Sequence, residues 1–120
     1  MDSDIAMAII TLAFILGDLI SGFVKAVYNN EVSSTKLREG LYHKLGFIGA
    51  LIMGYGCQWI VKLGFMPECF NIVFGGVAVF ICWLEAVSIT ENLCAVSPEL
   101  ANSPLAQFLQ NSNETTESEE

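Results

Sequence analysis

Three apolar stretches, each long enough to cross a bilayer, decide most of what this chain can become. They cover residues 5–24, 45–66 and 69–90. A hydrocarbon core of about 30 Å takes roughly 20 helical residues to span. The first stretch runs unbroken from Ile5 to Gly17 apart from Thr11. The second carries Gln58 and Lys62, and the third is uncharged until Glu85. Inside lipid each backbone amide must find its partner within the protein, which a helix does locally. Helices of a soluble bundle would show a polar face with a 3.6-residue period. The first and third stretches show almost none. Composition agrees, with 53% of residues hydrophobic and 15% charged, where soluble domains average about 25% charged. The expected fold is an all-α membrane protein with three transmembrane helices. Three spans and their links fill the 120 residues, so no separate catalytic domain fits and no enzyme is expected. Thirteen acids against five bases, net −8, argue against nucleic acid, which is held through clustered Lys and Arg.

The first stretch opens on Met-Asp-Ser-Asp and is followed by no small-x-small cleavage pattern. A signal peptide wants a basic n-region, so this segment is expected to stay as a span. Residues 25–44 link the first two spans. Asn29-Asn30-Glu31 reads as a turn, and Ser33 or Ser34 can cap a helix after it. Leu37, Leu41 and Leu45 recur every four residues opposite Lys36, Arg38, Glu39 and His43. That pattern predicts a short cytoplasmic amphipathic helix on the membrane surface, feeding into the second span. Gly64–Glu68, containing Pro67, predicts a tight hairpin between spans two and three. Pro98 and Pro104 interrupt helix after Leu93. Residues 110–120 are polar and acidic without a base, which predicts a disordered acidic C-terminal tail. The organisation expected is a membrane domain over 1–109 and that tail over 110–120.

Four of the five bases, Lys25, Lys36, Arg38 and Lys44, fall between the first two spans. Positive residues near span ends stay cytoplasmic. The loop is therefore expected inside, with the N-terminus outside and the C-terminus cytoplasmic.

Asp18 and Glu85 come at matching depth on that side. Charge within hydrocarbon costs roughly 2.5–3.5 kcal/mol at the centre. Two readings stay open for these acids. Either they line a wet surface once copies assemble, or they are protonated or reach Lys25 and Lys44. Gly46, Ala50, Gly54, Gln58 and Lys62 recur every four residues. This stripe lets helix backbones approach closely, within one copy or between copies, and Gln58 could bond across the contact. Gly17 and Ser21 form a shorter small pair, and Gly75-Gly76 a local point of approach. Lys62 lies near the outer end, where its ammonium reaches the surface. Tyr28, Tyr42 and Trp59 fall near interfaces, and Trp83 lies deeper as a packing residue. Cys57, Cys69, Cys82 and Cys94 have no metal-site spacing and read as small packing residues. His43 reads as a solvated surface residue. No catalytic residue, metal set or cofactor motif is seen.

Gly17-Asp18-Leu19-Ile20-Ser21-Gly22-Phe23-Val24-Lys25-Ala26 resembles the D-x-x-[ST]-G-x-x-K-A signature of phage-lysis and toxin-secretion holins. Ser33-Ser34, Arg38-Glu39-Gly40-Leu41 and Lys44-Leu45-Gly46 resemble that family's S-S…R-x-G-L-x-x-K-x-G segment. Glu85-Ala86-Val87-Ser88-Ile89-Thr90-Glu91-Asn92-Leu93 resembles its E-x-x-S-I-x-E-N-L ending, so the likeness runs over about residues 17–109. It implies a non-enzymatic protein of the bacterial host's cytoplasmic membrane. Such a protein assembles with copies of itself into large nonspecific lesions and lets a phage endolysin or a toxin out. The acidic tail departs from the basic tails common in the family. The rival function is a small proton-coupled transporter using Asp18 or Glu85, though its expected inverted repeats or broken helices are missing.

Overall fold

The computed structural model describes residues 3–104, 106–108 and 111, and among them it consists of helices and turns without a strand. Helix α1 spans Ser3–Tyr28, α2 Ser34–Lys62, α3 Ile72–Val96 and the short α4 Pro98–Ala101. A single 3₁₀ turn, Glu68–Asn71, precedes α3. Three segments are long and apolar enough to cross a membrane: Ser3–Tyr28, Ser34–Lys62 and Glu68–Val96. The tail expected over 110–120 lies outside the described residues apart from Asn111.

The helix ends have identifiable causes. After α1, Asn30 takes a left-handed conformation (φ 57°). Glu31 N–H donates to the Ala26 carbonyl at 2.8 Å and Asn30 N–H to Val27 at 3.2 Å, the paired bonds of a Schellman stop. Gly64 (φ +88°) repeats the device after α2, with Phe65 N–H on Ile60 and Gly64 N–H on Val61. Pro67 then prevents resumption. Gly64→Ala places a Cβ in the left-handed region and should cost about 1 kcal/mol, read as a lower unfolding midpoint in detergent.

The separate surface helix expected between spans one and two is absent from the fold: those residues are the first turns of α2. Ser33 caps the helix by accepting from Lys36 N–H, and no Pro or unfavourable turn occurs before Lys62, so helix started at Ser34 propagates through. The third crossing begins as a 3₁₀ turn, since Pro67 fixes extended backbone just before it. Cys69 lies in that turn.

Apart from Val87 on α3, buried positions recur at steps of three, four or seven. These are Thr11, Ile15, Asp18 and Ser21 on α1, Lys44, Leu51, Gly54 and Val61 on α2, and Phe74, Ala78, Ile81 and Glu85 on α3. Such spacing makes the seam of a left-handed helix pack. Contacts pair the start of α1 with the end of α2, and the end of α1 with the start of α2. Hence α1 and α3 run together and α2 runs against them. The largest interface joins α1 to α3, α2 packs chiefly on α3, and α1 touches α2 least. Ile15, Leu51, Phe74, Ala78 and Ile81 fill the core, with Tyr55 edge-on to Phe74 at 5.4 Å. Most other large apolar side chains face outward, Met53 and Ile72 among them, as lipid-facing positions should.

Candidate functional site

The interior changes character toward the α1–α2 turn. There one charged residue from each long helix points inward. Lys44 Nζ donates to Asp18 Oδ2 and to both Glu85 oxygens, at 2.9 and 2.7 Å. Asn92 Nδ2 donates to Asp18 Oδ1 at 3.1 Å and to Ser21 Oγ at 3.0 Å, and Ser21 Oγ donates to the Asp18 carbonyl. Glu85 is 2% exposed and Lys44 8%. All buried side-chain nitrogens and oxygens among the described residues have partners.

The chain reaches this arrangement through register. Asp18 and Lys44 each lie ten residues from the turn end of their helix and Glu85 eleven from the end of α3, about 15 Å at 1.5 Å per residue. The matching depth expected for Asp18 and Glu85 is therefore found, and of the two lysines offered as partners it is Lys44 that closes on them. Lys44 is thus no loop residue, and its charge is spent inside the bundle. Lys25, Lys36 and Arg38 remain near the turn, Lys36 and Arg38 exposed.

Buried ion clusters add little net stability, because desolvation offsets attraction. What they do is penalise separation. Any movement of α2 away from α1 and α3 strips both carboxylates of their counter-ion and leaves the ammonium unpaired in a medium of low dielectric. The sequence reading named Ser21 only as a small packing residue and missed Asn92 as a member. Both signals were available: Ser21 is three residues from Asp18 and Asn92 seven from Glu85, each on the same helix face.

A second, wetter contact joins the opposite ends. Gln58 Nε2 donates to Asp4 Oδ2 at 2.6 Å, and Lys62 Nζ approaches the same oxygen at 3.5 Å while lying over the Trp59 ring at 5.2 Å. Asp4 had no assigned part in the sequence reading.

The small residues divide. A Cβ on Gly54 would meet the Phe74 Cα at 3.3 Å, and one on Gly17 the Ile89 Cδ1 at 3.3 Å, so both bring helices together within one copy. Gly46 has open space around it, and Ala50 is exposed. Gly75 and Gly76 also have open space, which removes the close approach expected there. Trp83, expected inside, lies on the outer surface at 42% exposure. Cys69 is exposed and Cys57, Cys82 and Cys94 half-buried.

Three crossings closed on an internal charge cluster define a small multi-pass membrane protein of helical-bundle type. The family model for bacteriophage holins matches residues 3–115, and the chain belongs to the bacteriophage holin family. Nothing matches among curated proteins or among solved structures.

Proposed function

We propose that copies of this chain gather laterally in a bacterial cytoplasmic membrane until they open large, nonspecific lesions that release a phage endolysin or a secreted toxin. The reading rests on the Asp18–Lys44–Glu85 cluster, formed by one group from each crossing. In a single copy the bundle satisfies these charges internally and offers lipid an apolar exterior. In an assembly the same groups, with Gln58, turn toward water at the lesion edge, where hydration replaces the lost ion pairs. The outward face carrying Gly46 and Ala50 is the contact between copies. With Lys25, Lys36 and Arg38 near the α1–α2 turn, that turn faces the cytoplasm, the N-terminus lies outside and the C-terminus inside.

Induction in bacteria, with and without an endolysin, tests this. The expected result is abrupt loss of viability and membrane potential from the protein alone, and lysis only when the enzyme is present. Cells that keep their potential and gain resistance to a toxic cation, lost at high external pH, would refute the lesion and favour proton-coupled transport.

A further inference from the structure

The sparse contact between α1 and α2 leaves two adjoining hollows near their turn. One is a recess of about 450 Å³ whose floor is Asp18 and Lys44 and whose outer wall includes Lys25, Lys36, His43 and Glu31. The other is an apolar groove of about 370 Å³ formed by Leu19, Ile20, Phe23, Leu37 and Leu41. They share Leu19, Phe23 and Leu37, so they form one continuous hollow, polar at one end and greasy at the other. Its size lies in the range of small-molecule sites, about 300–1,000 Å³.

We propose that this hollow holds one anionic glycerophospholipid of the surrounding leaflet, with its phosphodiester on Lys25 and Lys36 and one acyl chain along the groove. The charge count favours that occupant. Lys44 is engaged by Asp18 and Glu85. The floor cluster carries one more acid than base, but around the outer wall Lys25 and Lys36 outnumber Glu31, so the positive charge is concentrated at the wall, where the headgroup of a lipid of net negative charge would lie. Depth agrees as well. Lys25 is three residues from the end of α1 and Lys36 two from the start of α2, about 3–5 Å from the helix ends, at headgroup level. The groove residues on α1 lie deeper, five to nine residues before Tyr28, where chains begin. Ile20, Phe23 and Leu41 are each about half exposed (55%, 47% and 49%), so the groove opens sideways to the bilayer and a lipid enters without unfolding anything. Basic hollows between membrane helices are suited to anionic headgroups. The inference needs the chain to sit in a membrane but is independent of lesion formation.

The test uses the full chain in phosphatidylcholine vesicles doped with spin-labelled phosphatidylglycerol or spin-labelled phosphatidylethanolamine, reading the motionally restricted fraction. Phosphatidylglycerol should be held in preference. Lys25→Gln with Lys36→Gln should weaken it about twenty-fivefold, from about a factor of five per lysine, and Lys25→Arg with Lys36→Arg should restore it. Leu37→Trp, filling the groove, should weaken it with the lysines intact. Equal retention of both lipids, displacement by inorganic phosphate, or indifference to Leu37→Trp would each overturn the proposal. Helical content by circular dichroism must match the parent in every variant, and the arginine pair provides a folded comparison. Lesion formation is scored separately in cells, so a failure of lipid retention is distinguishable from a failure of the holin reading.

Discussion

Lys44→Met should destabilise the bundle by about 3–5 kcal/mol, the cost of removing one partner from a buried ion cluster. The substitution keeps most of the side-chain volume but takes the ammonium from both acids, leaving Asp18 with its bond from Asn92 and Glu85 without the bonds it had from Lys44. The measurement is unfolding by denaturing detergent in micelles, together with accumulation in membranes. The decisive comparison is the triple variant Asp18→Leu, Lys44→Met, Glu85→Leu. Replacing a whole buried ion group by apolar residues is often neutral or stabilising, so the triple should regain the parent's stability. If the cluster also forms the wetted edge, the triple should accumulate and fail to kill. A triple variant that kills on the parent's schedule at equal expression removes the cluster from the mechanism.

Gly54→Leu and Gly46→Leu should separate folding from assembly. At position 54 the new Cβ lands 3.3 Å from the Phe74 Cα. Backbone cannot swing aside as a side chain does, so α2 and α3 must part, at about 1–3 kcal/mol or more. At position 46 nothing lies within 4 Å, and stability should stay within about 0.5 kcal/mol of the parent. The functional readout then decides what the outer face does. A folded Gly46→Leu protein that kills late, or not at all, makes that face the contact between copies. Normal killing leaves it as plain lipid-facing surface.

The three crossings were legible because hydropathy and length are read directly from sequence. Their limits were less so. Whether Leu37 and Leu41 lie on a separate helix or on the first turns of α2 depends on a stop signal between residues 41 and 45, and sequence contains none. The four-residue stripe misled for a geometric reason. At 3.6 residues per turn a step of four advances about 40°, so Gly46 and Gly54 sit about 80° apart on α2. One therefore faces lipid and the other faces Phe74. The matching depths of Asp18 and Glu85 could be counted from the span ends. That Lys44 rather than Lys25 closes on them could not, because it requires the α2 start to turn inward, and that depends on the interhelical seam. Asp4 as partner of Gln58 and Lys62 was equally hidden, being a long-range pairing between helix ends.

The cation of the cluster belongs to α2, whereas both its acids belong to the parallel pair α1 and α3. An opening walled by that pair, with α2 turned aside, would carry two fixed carboxylates per subunit at one level, a ring of like charge. Rings of this kind favour cations while the passage is narrow. The first leak would then be potassium running ahead of chloride, with discrimination fading as the hole widens beyond the reach of its own field.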